Sequence, residues 1–222
     1  MLLRISKKYD ERLNEILDVS ERLFGEKGYE KTTVNDILEG VGIGKGTFYH
    51  YFKSKEDVMN AVIMRIANTA RESCQALADT PGLTAHEKFA RVFFEQPGKN
   101  NDIVEQLHHD DNSALHIKSL TETIIAISPA LGQIIQQGVD EGVYHTPYPQ
   151  ESFEFLYAGA QFMLDPGLFE WPVEELVRKV KAFVYLTGTV LGAKQGSFEF
   201  IYKLYEMVPE FSEALKSNRE GD

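Results

Sequence analysis

The chain has 222 residues, 43% of them hydrophobic, and a formal net charge of −11. That length holds one large core or a small domain beside a larger one, and no run of about 18 apolar residues occurs, so no membrane span is expected. One cysteine, Cys74, rules out an internal disulfide, and the charged opening MLLRISKKYDERLNEIL lacks the apolar stretch of a signal peptide; both point to the cytoplasm.

The hydrophobic period is helical throughout. A first helix is predicted over about 7–25, where Tyr9, Leu13, Ile16, Leu17, Ser20, Leu23 and Phe24 recur at three and four, with Gly25 and Gly28 ending it. Residues 31–55, KTTVNDILEGVGIGKGTFYHYFKSK, read as a short helix, a glycine turn and a second short helix. Thr33 and Asp36 have the spacing of a helix cap, and Val34, Ile37, Leu38 and Val41 supply a buried side. Gly40, Gly42 and Gly44 permit the reversal. In the second helix, about Lys45 to Phe52, Phe48 and Phe52 are four apart and face inward, whereas Lys45 and Tyr49 share another face with Thr47 and His50 beside it. A helix-turn-helix has this form when its second helix lies in a DNA groove.

Ser54 starts a further helix to about Leu77, and Pro81-Gly82 breaks the pattern. Thr84-Ala85-His86-Glu87 is a capping box for a helix to about Gln96, followed by a loop at 97–101. Helices are then predicted near 102–109 and 113–127, and from Ser128-Pro129 to Gly142, proline suiting a first turn. After the link at 145–149, two long helices are expected at 150–164 and 172–194, and a last one at 198–216. The expected fold is all-α, with about ten helices. Charge divides unevenly along it: residues 1–60 hold ten Lys/Arg against eleven Asp/Glu, and the remainder 13 against 23. The acidity therefore lies away from the helix-turn-helix, where Lys45, Lys53 and Lys55 cluster.

Gly28-Tyr29, Thr32-Thr33 and Ile37, followed by Lys45, Gly46, Thr47, Tyr49, Phe52, Ser54, Lys55 and Glu56, resemble the DNA-binding domain of TetR-family transcriptional regulators. The likeness covers about a quarter of the chain, and the run PALGQIIQQGVDEGVYHTPYP at 129–149 resembles that family's turn before its last long helices. One departure is Gly44, where a serine or threonine able to hold phosphate is frequent. The resemblance implies a helix-turn-helix domain at 1–53 and a helical ligand-binding and dimerisation domain at 54–222, with the helix at 54–77 as connector. It implies a dimer on a palindromic operator, most often repressing and released by a small-molecule inducer, with no cofactor and no enzymatic role.

Residue roles follow by chemistry. Lys45, Lys55, Thr33 and Tyr51 are phosphate candidates, and Thr47, Tyr49 and His50 are candidates for base edges. Thr32 and Gly46, inside the matched motif, complete the set. Tyr51 is equally read as half-buried against the first helix. In the two late helices, Leu156, Gly159, Ala160 and Phe162, with Val184, Gly188, Leu191 and Gly192, would form the dimer interface, or would pack within one subunit. A pocket drawn from Phe89, Phe93, His109, His116, Phe155, Tyr157, Trp171 and Tyr185 would suit a flat apolar or cationic ligand, although each aromatic alone reads as core. The alternative is a metal-binding or enzymatic protein using His108, His109, Asp110, Asp111 and His116. Consecutive residues on a helix point about 100° apart and rarely share one metal, and no nucleophile or phosphate-loop motif occurs.

Overall fold

A computed structural model describes residues 2–94 and 113–204. Among them the chain is all-α: α1 (Leu2–Lys27), α2 (Val34–Val41), α3 (Lys45–Tyr51), α4 (Lys55–Ala78), α5 (Ala85–Phe94), α6 (Ser113–Asp140), α7 (Pro149–Met163) and α8 (Val173–Val190), then a 3-10 helix (Glu199–Leu204). None of these is long and apolar enough to cross a membrane. The described residues fall into two compact units. The first contains 2–68 and 113–122, the second 69–94 and 123–204.

The first unit is built on the stripe predicted for α1. Ile16, Leu17, Leu23 and Phe24 bury against Ile37 and Leu38 of α2, Phe48 of α3, and Val58, Met59 and Val62 of α4. Gly25 does not end α1. It stays buried inside the helix, which stops at Gly28, where φ is 79°. The cap of α2 forms as its spacing predicts: the Asp36 amide donates to Thr33 Oγ1 at 3.1 Å, and the Thr33 amide donates to Asp36 Oδ2 at 2.8 Å. Gly42 closes α2 in the left-handed region at φ 73°, a conformation that costs glycine nothing and strains other residues.

The second unit packs Phe89, Leu131, Ile134, Ile135, Tyr144, Phe153, Leu191 and Phe198 into one core. Here the chain departs from its sequence reading. The helices expected at 113–127 and from Pro129 are one, α6, with Pro129 inside it. The proline forfeits one backbone hydrogen bond, but its neighbours Ile127, Ser128, Ala130 and Leu131 are all buried, and the packing carries the helix through. Ser128 Oγ donates back to the Ile124 carbonyl at 2.6 Å. The expected 172–194 helix ends at Val190, because Gly192 turns left-handed (φ 59°) and lies against His145, whose amide donates to the Leu191 carbonyl at 2.7 Å. The final helix is a 3-10 turn over 199–204; its expected continuation, and the helix expected at 102–109, lie outside the described residues.

Candidate functional site

The α2–turn–α3 segment presents one polar face on an apolar support. Phe48 is fully buried and Phe52 nearly so, which locks α3 onto the core of the first unit. Burying one such ring contributes about 1.5–3 kcal/mol. The opposite side carries Lys45, Thr47, Tyr49 and His50, all exposed, with Tyr49 at 55%. At its C-terminal end Tyr51 is half-buried and stacks on Tyr9 of α1, ring centroids 4.6 Å apart, and His50 meets Tyr9 edge-on at 6.0 Å. The first helix thus fixes the angle of the second half of α3.

The glycines of this segment point outward. A Cβ built at Gly44 or Gly46 meets nothing within 4 Å. Glycine inside a helix costs about 0.5–1 kcal/mol relative to alanine, and no neighbour in the first unit requires it at position 46. Gly44 is the N-cap of α3 and makes no side-chain capping bond. The surface above this turn is therefore backbone, open to close approach.

Three residues of the expected contact set are committed elsewhere. Thr32 is fully buried, and its hydroxyl is placed to donate to the Gly28 carbonyl at 2.8 Å or that of Leu23 at 3.2 Å, so it offers no side chain to a ligand. The Thr33 hydroxyl donates to Asp36 Oδ2 at 2.6 Å. That bond, with those from the Thr33 amide and Lys27, holds the Asp36 carboxyl well below the usual carboxylate range. Lys55 does not reach into solvent: its Nζ donates to the carbonyls of Tyr29 at 2.7 Å and Glu30 at 3.3 Å and sits 4.1 Å from the Tyr29 ring centroid.

Charge in the first unit narrows further. Arg12 pairs with Glu15, Arg22 with Glu26, Lys27 with Asp36, and Arg65 with Asp18 and Glu21. Among the described side chains of this unit up to α4, Lys31, Lys45 and Lys53 remain without an anionic partner. Of these, Lys45 opens α3 and Lys53 follows its end.

The residues expected to line a pocket separate. Phe89 and Phe93 are core, packed edge-on or tilted against Phe198 and Phe200. His116 is buried in the first unit. His108, His109, Asp110 and Asp111 lie outside the described residues, and no cluster of metal-ligating side chains occurs among those described. Trp171 donates its indole N–H to the Met163 carbonyl at 2.7 Å, stacks on Phe169 and carries Lys179 over its ring at 3.7 Å, which clamps the α7–α8 connection. Phe155 and Tyr185 face outward, 82% and 71% exposed. Tyr157 of α7 is half-buried and stacks on Phe153, a buried core residue of the same helix.

The expected dimer residues separate as well. Leu191 is fully buried, Val184 nearly so, and Gly192 abuts His145; all three pack within the second unit. Gly188 sits near Phe198 and Leu156 packs on the same core, whereas Gly159 is open and Ala160 half-buried. What the two neighbouring helices leave uncovered is Phe155, Phe162 and Met163 on α7, and Tyr185, Leu186 and Val190 on α8, of which Phe162 belonged to the expected interface. In the sequence Phe155 and Phe162 are seven apart, and Leu186 and Val190 four apart, the spacing of one helix face.

Comparison with known proteins agrees with this architecture. The family model described as "Bacterial regulatory proteins, tetR family" matches residues 16–62, and that of a "Tetracyclin repressor-like, C-terminal domain" matches 97–186. The HTH-type transcriptional regulator EthR of Mycobacterium tuberculosis is 36% identical over 98 residues, covering 42% of this chain and 45% of that one. The HTH-type transcriptional repressor KstR2 of the same organism is 37% identical over 60 residues, 27% of this chain and 30% of that one. The chain thus spans less than half the length of these curated relatives. A crystal structure of a TetR-family transcriptional regulator from Pectobacterium atrosepticum superposes with a TM-score of 0.62 at 22% identity, over 83% of this chain and 96% of that one, a likeness of fold.

Proposed function

We propose, the chain belonging to the TetR family of bacterial regulatory proteins, that it is a ligand-responsive transcriptional regulator, a repressor, that binds a palindromic operator as a homodimer. The observation that carries this is the exposed face of α3, Lys45, Thr47, Tyr49 and His50, held on the buried Phe48 and Phe52 behind a glycine turn. Residues with polar or aromatic tips at these positions match base edges, threonine and tyrosine carbons meeting thymine methyls. Lys45 and Lys53 hold phosphates, and Gly44 and Gly46 let a backbone phosphate approach the amides closely. Two-fold symmetry sets two reading helices about 34–36 Å apart, one turn of DNA. The acidic remainder of the chain discourages binding away from this face.

Lys45 and Lys55 distinguish contact from support. Lys45→Ala lowers affinity for all sequences and reduces the slope of log affinity against log salt by about 0.9 per lysine, that is, per phosphate lost. Lys55→Ala leaves the slope unchanged and destabilises the first unit by about 1–2 kcal/mol, the scale of its charged hydrogen bonds and ring contact. Titration at four salt concentrations, with thermal melts of both variants, separates the two. An equal loss of slope in both would return Lys55 to the phosphate set.

A ligand held by the second unit acts by binding one conformation of the protein better than the other. A hundredfold change in operator affinity requires about 2.7 kcal/mol of differential binding. The whole reading is tested by selecting fragments of the source genome with purified protein at near-physiological salt. Recovery of one short palindrome is the expected result. No enrichment, repeated after unfolding and refolding to strip any carried ligand, would overturn it.

A further inference from the structure

Tyr9 of α1 holds a position that the core of its unit does not explain. Its ring is 40% exposed, and the core takes in Tyr51 but leaves Tyr9 outside. What the ring meets is α3. It stacks on Tyr51, with centroids 4.6 Å apart and planes 29° from parallel. His50 stands nearly perpendicular to both rings, 6.0 Å from Tyr9 at 83° and 5.3 Å from Tyr51 at 86°. Three rings from two helices thus gather at one end of the exposed α3 face.

The arrangement bears on His50 more than on Tyr51. Tyr51 is half-buried and already rests on the core. His50 is exposed, in the last turn of a seven-residue helix. A solvent-facing side chain of this kind exchanges among rotamers on the picosecond to nanosecond scale. Edge-to-face contact with two rings favours one orientation, because aromatic faces and edges carry opposite partial charge. A ring already set in place loses less freedom when a base pairs with it. That gain arises only in the complex where the base bond is made, so it adds to discrimination and not to general affinity.

We propose that Tyr9, stacked on Tyr51, is a positioning residue for His50, and that the first helix thereby takes part in base discrimination without touching the base. The partner of His50 is a base pair that presents a major-groove acceptor to an imidazole N–H; guanine, with O6 and N7, presents two. This rests on the regulator reading above and assigns part of the specificity of that site.

The test uses the full chain, the palindrome from the genomic selection, and copies of it altered at each base pair in turn. His50→Ala is expected to lower the preference at one base pair of each half-site about tenfold. Tyr9→Leu lowers the preference at that same pair about three- to fivefold, the scale of one side chain left to be ordered on binding. Tyr9→Phe keeps the ring and behaves as the parent. In a His50→Ala background, Tyr9→Leu has no further effect on discrimination, the signature of a residue acting through another. Without DNA, the carbon-bound ring protons of His50 shift in Tyr9→Leu and hold their resonances in Tyr9→Phe. Loss in Tyr9→Phe equal to that in Tyr9→Leu would make the hydroxyl a direct contact and overturn the proposal. So would a Tyr9→Leu effect that falls equally on operator and unrelated DNA, one that persists beside His50→Ala, or His50 resonances that Tyr9→Leu leaves in place. A palindrome that the parent binds, with discrimination unaltered in Tyr9→Leu, condemns this assignment alone. A selection that recovers none condemns the regulator reading and the assignment with it.

Discussion

Phe155→Glu combined with Tyr185→Glu yields a folded monomer whose operator affinity falls at least about a hundredfold. Both side chains are mostly exposed in the single chain, so their replacement removes little internal packing. Each belongs to an uncovered apolar stripe, with Phe162 and Met163 on α7 and Leu186 and Val190 on α8. Monomeric proteins seldom leave such large apolar residues clustered in water. Four carboxylates introduced across a two-fold interface face one another without compensation. Losing the second reading head forfeits the gain from linked binding, which is about 10²–10⁴. Light scattering and operator titration on one preparation decide the matter. A double variant that remained dimeric would move the interface off these helices, back toward Gly159 and Ala160 or elsewhere.

Phe48→Ala abolishes operator binding by a different route, unfolding the first unit and leaving the second intact. Phe48 is fully enclosed by Ile16, Phe24, Ile37 and their neighbours, and its loss costs about 3–5 kcal/mol. A unit of this size has little more than that in reserve. Its neighbour in sequence behaves otherwise. Tyr49→Ala, on the exposed face, leaves the melting curve unchanged and reduces discrimination between operator and unrelated DNA by about 1–3 kcal/mol. Circular dichroism melts beside competition binding separate the two: Phe48→Ala loses an unfolding step and all specific binding, Tyr49→Ala only the preference. A Phe48→Ala protein that melted like the parent would show that α3 is not held by this ring.

The contrast between residues 48 and 49 was legible in the chain because a helix of seven residues leaves few choices of face. Phe48 and Phe52 recur at four, and the polar set falls opposite. The α2 cap was equally legible, since Thr33 and Asp36 interact across three residues of local chain. Lys55 was not. Its sequence position, one residue into a helix and beside Lys53, suggested a phosphate contact. Only the fold brings the carbonyls of Tyr29 and Glu30 within reach, 25 or more residues away. The same holds for Thr32, whose bonds to Leu23 and Gly28 depend on the path of the turn after α1.

In the second unit, period and turn residues were enough to establish that helices form and roughly where. Which residues they bury, and where two of them stop, depended on neighbours distant in sequence. Pro129 should begin a helix by its own chemistry, yet sits within one because buried residues on both sides outweigh a lost hydrogen bond. Small residues such as Gly188 and Gly192 suit close approach by any partner, and the partners turned out to be Phe198 and His145 of the same chain. Local rules act over one helical turn and were written in the residues themselves: the helices, their caps, and the two faces of α3. The outward turn of Phe155 and Tyr185 was settled by tertiary packing, because burial is a property of what lies across from a residue, and the chain alone does not say what that will be.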